Sequence, residues 1–527
     1  MSRPTLGIDL GTTYSCVAAL DEYNRVTVLA NQEGDLTTPS VVFYDGSHNV
    51  VVGKFAKNEL KSEPDRVVAL IKRHMGEDGY TVDIDGEQRY PQQISALILK
   101  QVVEDALGAL GAETPIDGPL ADVVITVPAY FGAAERQATQ DAGELANLNV
   151  LNIINEPTAA AIAYGLTAVG DERSVLVYDL GGGTFDVTII KVSPSEIRVV
   201  ATGGNNKLGG ADWDERLVDL ICDKFLEQEP DHDPRSDPDA AGAIELAAEE
   251  AKKALTAKNS HTFPITADGV RVKIEISRAE YEERTTDLIG RTLDFTRDVL
   301  GHAKDKGVAA IDELLLVGGM SYSPAVKERL IAEFPELPTP KLADPNQIVA
   351  KGAALFAASG VGESGRNGDS AGRAQRALPG GAAMPRIVNV TSKGYGIAVL
   401  RDAKKSNTDR VVSWLLRPND EIPATPKDTF CTVQDNQEMV EIAVYESSTD
   451  MLSEELPNNL ELVKGDLTGL PRKPAGQPLE VSFELGADGI LHVSAVAGNG
   501  KVLKLEAKIS GLLPDEVKQA PLPAIQR

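Results

Sequence analysis

The sequence predicts a mixed α/β region followed by an all-β region. Over residues 5–358, short β-prone runs alternate with longer helical patterns, which is typical of an α/β architecture. A similar glycine-rich turn occurs twice in this region, about 170 residues apart, and indicates an internal duplication. From 387 to 509 the pattern changes to short strands, and several strands at this spacing predict a β-sandwich.

The two repeated turns are predicted to be β-hairpins with functional tips. In each copy a β-prone run ends in Asp9 or Asp179, a turn rich in glycine and threonine follows, and a second β-prone run begins. Glycine lets the backbone approach a ligand, N–H groups in a concave turn bind phosphate oxygens, and a nearby aspartate suits hydrated Mg²⁺. Two such tips facing each other would hold one nucleotide, although each turn alone is equally compatible with a simple tight hairpin.

Apolar periodicity predicts helices between the strands. The expected helices cover 92–110, about 133–148, about 211–228 and about 241–258. Ser277 and Glu280 form a Ser-x-x-Glu capping box, which predicts the start of a long helix. Residues 359–386 are rich in Gly, Ser, Ala, Arg and Pro, and this composition predicts a flexible linker.

Composition argues against several function classes. The 79 acidic residues outnumber the 52 basic ones and give a net charge of −27, so neither nucleic acid nor a membrane is an expected partner. The three cysteines are far apart, which gives no metal site, and no apolar run predicts a signal peptide or a membrane span, so we expect a cytoplasmic protein. No Walker motif occurs, and the Gly-x-Gly-x-x-Gly at 360–365 lacks a following helix, which favours a linker.

Five strings resemble the 70-kDa heat-shock protein family of DnaK-type molecular chaperones. They are GIDLGTTYS at 7–15, VVITVPAYF at 123–131, IINEPTAAAIAYG at 153–165, VYDLGGGTFDVT at 177–188 and LLLVGG at 314–319. The resemblance implies a two-lobed, actin-like ATPase domain of duplicated RNase H-like units at 1–358 and a linker at 359–386. It further implies a β-sandwich substrate-binding domain at 387–509 and a short tail at 510–527 without the family's helical lid.

The resemblance also assigns roles in a cleft that binds ATP or ADP with Mg²⁺, and K⁺ is a further candidate ion there. Lys72, Glu156, Asp186 and Thr184 would be catalytic, and Asp9 and Asp179 would hold Mg²⁺ through water. The other implied nucleotide-binding residues are Gly11, Thr12, Thr13, Tyr14, Gly181, Gly182, Gly183, Gly209, Gly210, Glu249, Lys252, Lys253, Thr256, Gly318, Gly319 and Tyr322.

Several of these residues have a purely structural interpretation as well. Glu156 precedes Pro157 and is compatible with a helix start, where an acidic group favours the dipole. Glu249 and Lys253 are spaced as a helix-stabilising ion pair. Pro128 and Arg136 resemble the family's switch between nucleotide site and β domain, and the alternative is a strand-ending proline with a surface arginine.

In the β region the resemblance places a peptide-binding pocket, although alternating apolar residues are equally expected in a sandwich core. The implied pocket residues are Ile397, Leu400, Phe430, Val433, Met439, Val440 and Ile442. The segment 386–389 departs from the family's apolar tether, so we expect weak docking on the ATPase lobes. Asn152 stands where the family has an arginine that meets the J-domain, and a pocket without a lid should release peptides quickly.

The sequence therefore predicts an ATP-hydrolysing chaperone that binds extended apolar segments of unfolded proteins. A J-domain co-chaperone and a nucleotide-exchange factor are its candidate partners. Two alternatives remain open at this point: an ATP-switched adaptor or regulatory module with one specific protein partner, and a small-molecule kinase on the same fold.

Overall fold

The computed structural model describes residues 3–46, 49–112, 118–165, 172–360, 384–402, 409–448, 452–486, 488–498, 500–506 and 513–526. These residues form two α/β lobes and a β-sandwich. No helix in the described ranges is long and apolar enough to cross a membrane. The predicted linker and the glycine motif at 360–365 lie largely outside the described residues.

The first lobe surrounds one mixed sheet. Its elements are β1 (Thr5–Asp9), β2 (Tyr14–Leu20), β3 (Val26–Leu29), β4 (Thr38–Pro39), β5 (Val42–Asp45), β6 (Asn49–Val52), α1 (Lys54–Asn58), β7 (Val67–Val68), β8 (Val82–Ile84), β9 (Glu87–Arg89), α2 (Pro91–Ala109), β10 (Asp122–Val127), α3 (Ala133–Leu145), β11 (Asn149–Asn155) and α4 (Glu156–Gly165). The main sheet has the order β11-β10-β1-β2-β3. Strand β10 is buried along its whole length, as its run of Val and Ile requires.

The second lobe repeats the hairpin and the parallel neighbour. Its elements are β12 (Arg173–Leu180), β13 (Phe185–Val192), β14 (Glu196–Asn205), α5 (Gly210–Gln228), α6 (Pro238–Leu255), β15 (Ser260–Ala267), β16 (Val270–Ser277), α7 (Arg278–Arg284), α8 (Thr286–Asp305), β17 (Glu313–Val317), α9 (Pro324–Glu333), β18 (Lys341–Leu342) and α10 (Ile348–Ala358). Strands β12 and β13 form the hairpin, and β17 pairs with β12 in parallel.

Helix α10 joins the lobes through close backbone contacts. It follows the second lobe in sequence but packs on β1, where a Cβ on Gly7 would lie 2.0 Å from the backbone nitrogen of Ala354. It also packs on α4, where a Cβ on Gly352 would lie 1.8 Å from the carbonyl oxygen of Ala159. Because glycine stands at both positions, the two lobes share one tightly packed core.

The β domain is a sandwich of two four-stranded sheets. The strands of the sandwich are β20 (Tyr395–Leu400), β21 (Arg410–Leu416), β23 (Lys427–Cys431), β24 (Met439–Ser447), β25 (Asn459–Thr468), β26 (Pro478–Leu485), β27 (Leu491–Ala497) and β28 (Val502–Glu506). The other elements in this part of the chain are β19 (Arg386–Val390), β22 (Glu421–Ile422), α11 (Asp515–Gln519) and β29 (Ala524–Ile525). The sheets have the orders β21-β20-β24-β25 and β23-β26-β27-β28. Alternating apolar residues of both sheets fill the space between them.

Strand β19 fastens the β domain to the second lobe. The sequence leads us to expect weak docking of this segment, but β19 pairs in parallel with β14 and extends the second-lobe sheet. The pairing uses backbone hydrogen bonds, which do not depend on the identity of the side chains, and Val388 and Val390 are buried. The hydroxyl of Thr158 also donates to Oδ1 of Asn389 at 3.2 Å.

The β domain meets the first lobe at the start of α3. Oε2 of Glu446 accepts a hydrogen bond from the N–H of Ala133, and Oε2 of Glu135 accepts one from the N–H of Gly132, each at 3.1 Å. A Cβ on Gly132 would lie 2.4 Å from the Glu446 carboxylate. Burial, followed by the charge of Glu135, raises the pKa of Glu446 to about 7, and Lys393 opposes this rise. Burial also raises the pKa of Glu135.

We expect docking of the β domain on α3 to weaken as the pH rises from 5.5 to 7.5. The raised pKa of Glu446 means that the docked form binds a proton that separated domains release. This stabilisation is complete below the ordinary pKa of 4.5 and is lost as the pH passes about 7. Energy transfer between dyes on the first lobe and the β domain should show the docked fraction falling. The variant Glu446→Gln should lose most of this dependence, and an equal fall in that variant would contradict the assignment.

Candidate functional site

The two glycine-rich tips lie against one another in a cavity between the lobes. The cavity has a volume of about 780 Å³. A Cβ on Gly182 would lie 2.0 Å from Oγ1 of Thr13, and a Cβ on Gly183 would lie 2.2 Å from Cγ2 of Thr12. Glycine is therefore required in the second tip, because the threonines of the first tip reach its backbone.

Most of the residues predicted to bind nucleotide line this one cavity. They are Asp9, Gly11, Thr12, Thr13, Tyr14, Lys72, Glu156, Asp179, Gly181, Gly182, Thr184, Gly210, Glu249, Lys252, Lys253, Thr256, Gly318, Gly319 and Tyr322. Three predicted residues, Gly183, Asp186 and Gly209, are not among those that line the cavity. Asp186 is buried. A Cβ on Gly209 would lie 2.6 Å from the Gly183 backbone, so Gly183 and Gly209 pack back to back.

Three aspartates concentrate acidic groups at the inner end of the cavity. Asp9 ends β1, while Asp179 and Asp186 face each other across the second hairpin. Burial, followed by the charge of Glu156, raises the pKa of Asp9 and of Asp186 to about 7 and raises that of Asp179 well above its usual range. Buried carboxylates that resist ionisation lack compensating positive charge, and oxygen donors of this kind suit a hard divalent cation such as Mg²⁺.

A buried ion pair adjoins these aspartates. Nζ of Lys72 lies 2.7 Å from Oε1 of Glu156, and both side chains are more than nine-tenths buried. Glu156 begins α4 directly after β11, as the structural interpretation of this residue predicts, and it forms the ion pair as well. The charge of Lys72 partly opposes the rise in pKa that burial and Glu156 cause at Asp9 and Asp186, so this one amine acts on several carboxylates.

Two residues that the sequence analysis missed hold the second tip in place. Nε of Arg73 donates to the carbonyl oxygen of Gly183 at 2.9 Å, and its Nη2 pairs with Asp212 at 2.5 Å. Oδ2 of Asp212 also accepts a hydrogen bond from the N–H of Gly209 at 2.7 Å. The position of Asp212 in the first turn of α5 is a capping signal visible in the sequence. Arg73 carries no such local signal.

At the outer end, residues of both lobes meet across the cavity. The hydroxyl of Tyr14 donates to Oε1 of Glu249 at 3.0 Å, and Nζ of Lys253 donates to that hydroxyl at 2.8 Å. Lys57 of α1 forms an ion pair with Glu249. Burial opposes ionisation of Glu249, but the charges of Lys57 and Lys253 hold its pKa at about 2. The predicted ion pair of Glu249 and Lys253 is thus one part of a bridge between lobes.

The remaining outer residues shape the cavity wall. Nζ of Lys252 lies 2.6 Å from Oδ2 of Asp214. Gly318 follows β17 with φ of 81°, and a Cβ there would lie 2.4 Å from the carbonyl oxygen of Leu180. Tyr322 is 45% exposed. An aromatic ring at this exposed edge of the cavity is available for stacking on a flat ligand.

Arg136 links the first lobe to the β domain. Its guanidinium donates to the carbonyl oxygen of Phe131 at 3.0 Å, to Oδ1 of Asn155 at 2.5 Å and to the carbonyl oxygen of Asp488 at 3.3 Å. The residue is 7% exposed, so the alternative of an ordinary surface arginine does not hold. Asn155 directly precedes Glu156, which places one contact of Arg136 beside the buried ion pair.

Pro128 begins the turn that connects β10 to α3. The N–H of Phe131 donates to the carbonyl oxygen of Pro128 at 3.1 Å. Within this turn, the N–H of Tyr130 donates to Oδ1 of Asp186 at 2.9 Å. The turn therefore touches the inner aspartates on one side and leads into the docked end of α3 on the other.

The predicted peptide-pocket residues fall into two groups. Ile397 and Ile442 are buried in the sandwich core, as the structural interpretation of alternating apolar residues predicts. Phe430 and Val440 are partly buried against that core, and Leu400 is half-buried. The exposed members are Val433, at 40%, and Met439, at 51%.

Comparisons with known proteins agree with this architecture. The family model described as Hsp70 protein matches residues 5–519. Relatives named Chaperone protein DnaK from Thermotoga neapolitana, Thermotoga petrophila and Thermotoga sp. are each 40% identical over 505 residues, which cover 94% of this chain and 79% of theirs. These findings confirm the predicted fold class and the predicted ATPase and chaperone function, and they give no support to the kinase or adaptor alternatives. The chain belongs to the Hsp70 family of ATP-dependent molecular chaperones.

Proposed function

We propose that the cavity binds ATP together with Mg²⁺ and that residues at its inner end hydrolyse the nucleotide. The observation that supports this most is the contact of the two Gly/Thr tips beside three buried aspartates. Phosphoryl transfer to water depends on positioning and on charge stabilisation. When bound, Mg²⁺ neutralises phosphate charge, and Asp9 and Asp179 would hold it through water, with K⁺ as a candidate companion ion.

In this proposal the tips bind phosphates and the buried groups manage the attacking water. Backbone N–H groups and threonine hydroxyls of both tips donate to phosphate oxygens. Lys72, oriented by Glu156 at 2.7 Å, approaches the terminal phosphate. Asp186 accepts the proton of the attacking water, since a carboxylate with a pKa of about 7 suits a general base near neutral pH. Thr184 positions that water beside the second tip.

The outer residues would hold the nucleoside. Glu249 and Lys252 offer an acceptor and a donor to the ribose hydroxyls, while Lys253 and Tyr322 lie where they can stack on the base. Thr256, Gly318 and Gly319 complete the wall, and Gly209 and Gly210 support the phosphate end.

We extend the proposal to the β domain, which would bind extended apolar segments of unfolded proteins according to nucleotide state. The exposed side chains of Val433 and Met439, with the partly buried Phe430, offer apolar surface for such a segment. Arg136 would transmit the nucleotide state, because it contacts Asn155 beside the ion pair and Asp488 in the β domain. A J-domain protein and an exchange factor would act as partners.

Gly182→Ala tests the contact between the tips. Even the Cβ of Thr13 would lie 2.7 Å from the new methyl group, so rotation of the threonine does not relieve the clash. We expect ATP affinity, measured by calorimetry, to fall about tenfold or more, in line with the usual cost of overpacking. Gly290→Ala in α8 meets no atom within 4 Å and serves as the control. Unchanged affinity in Gly182→Ala would remove the main support for the proposal.

Asp186→Asn tests the catalytic assignment. The amide keeps the shape and the hydrogen bond from Tyr130 but does not accept the proton of the attacking water. We expect single-turnover hydrolysis to slow about 10²-fold while ATP binding persists. Asp287→Asn, at an exposed ion pair on α8, is the matched control. Normal hydrolysis by Asp186→Asn would show that another group acts as the base.

Met439→Glu tests peptide binding. A fluorescent apolar peptide should bind the intact chain more weakly with ATP than with ADP, and the added charge should abolish much of the binding in both states. Val502→Glu changes an equally exposed residue at 54% and should leave binding intact. Equal peptide affinity with ATP and ADP would contradict nucleotide control while leaving the ATPase assignment unaffected.

A further inference from the structure

Residues 513–526, here called the strap, return from the β domain to the first lobe. Strand β29 pairs in parallel with β6, with Ala524 opposite Asn49 and Ile525 opposite Val50. The N–H of Gln526 donates to the carbonyl oxygen of Val50 at 2.8 Å. The strap thus covers an edge strand by β-augmentation, the mode in which backbone bonds supply affinity.

Side chains reinforce this pairing. Nζ of Lys518 lies 3.1 Å from Oδ2 of Asp141 on α3, and the aspartate side chain is only 2% exposed. Burial raises the pKa of Asp141, and Lys518 opposes that rise, so the lysine supplies charge that the buried carboxylate needs. Leu522 and Ile525 pack against the core of the first lobe. The strap is therefore bound by backbone, ionic and apolar contacts together.

The strand covered by the strap leads directly to the outer end of the nucleotide cavity. Strand β6 ends at Val52, Gly53 caps α1, and α1 carries Lys57. Lys57 crosses between the lobes to Glu249 and also donates to the Tyr14 hydroxyl at 3.2 Å. Because α1 follows β6 directly, contacts that fix the position of β6 also fix the position of Lys57, the first-lobe partner of Glu249.

We propose that the strap restrains nucleotide exchange by holding the β6–α1 unit in the position from which Lys57 closes the cavity. The β domain is then fastened at both ends, through β19 to the second lobe and through the strap to the first. Release of the strap frees β6 and α1, weakens the contact of Lys57 with Glu249 and opens the exit for the nucleotide. This inference depends on the proposed nucleotide site.

The test uses the full chain with Ile525→Asp and, separately, Lys518→Ala. Release of a fluorescent ADP analogue, followed by stopped flow, should be about threefold or more faster in each variant, because each loses a partly buried contact. Lys518→Arg keeps the ion pair and should restore slow release. Ile331→Asp on α9 and Lys464→Ala on β25 change exposed residues away from the strap and should have no effect.

Hydrogen exchange of the β6 amides separates the possible failures. Ile525→Asp should raise exchange across Asn49–Val52, since the strap no longer covers that edge. Unchanged exchange would show that the strap is not bound in solution and would overturn the inference. Faster exchange with unchanged ADP release would also overturn it, while the nucleotide site would stand. If the unmodified chain binds no ADP analogue at all, the proposed function itself fails.

A double variant tests the route through Lys57. Lys57→Ala should by itself speed ADP release, because Glu249 loses its first-lobe lysine. Adding Ile525→Asp to Lys57→Ala should then give little further acceleration, since both changes disable the same contact. Independent, multiplicative effects would show that the strap acts by another route and would overturn the mechanism.

Discussion

The close approach of the two hairpin tips is the contact on which the rest of the ATPase part depends. Thr12 and Thr13 reach the backbone of Gly182 and Gly183 at distances that exclude any side chain on those glycines. That contact fixes the separation of the lobes at the inner end of the cavity and brings acidic groups from both lobes together. Their raised pKa values are the electrostatic result, because buried carboxylates share too little positive charge. The site thus combines buried acidic oxygens with the glycine-rich backbone of two turns.

One turn, between β10 and α3, connects the inner aspartates of the cavity to the β domain. In the turn after Pro128, the N–H of Tyr130 donates to Asp186. The turn leads into α3, whose first residue, Ala133, donates its N–H to the carboxylate of Glu446. Arg136 makes a second connection, because its guanidinium donates to Asn155 in the first lobe and to Asp488 in the β domain. Both routes are short and consist of buried or partly buried polar contacts, and they are the routes by which we propose that the nucleotide state reaches the sandwich. Glu135 and Glu446 place two buried carboxyl groups in the interface at the start of α3.

Local patterns in the sequence predicted the repeated hairpins and helices well. The expected helix at 92–110 is observed at Pro91–Ala109, and the capping box at Ser277 does start a helix. The helix expected after that box is divided at Thr285 into α7 and α8, which no local signal showed. These features follow from periodicity and turn chemistry, which depend on neighbours within a few residues.

Contacts between distant parts of the chain were not predictable in this way. Lys57 meets Glu249, which lies 192 positions away, and a single lysine on a five-residue helix has no distinguishing pattern. Docking of β19 also differed from expectation, because a parallel backbone pairing tolerates many side chains. Family motifs predicted most of the residues that line the cavity, whereas the bridging charges depend on three-dimensional packing.

The position of α10 has a consequence for biosynthesis. Helix α10 ends at residue 358, yet it covers β1 and α4, which are complete by residue 165. At translation rates of 5–20 residues per second, this delay lasts roughly 10–40 s. During that interval the nascent first lobe displays an uncovered apolar face on the ribosome. Until α10 has been synthesised, the apolar residues of β1 and α4 that it covers therefore lack their partner in the folded chain.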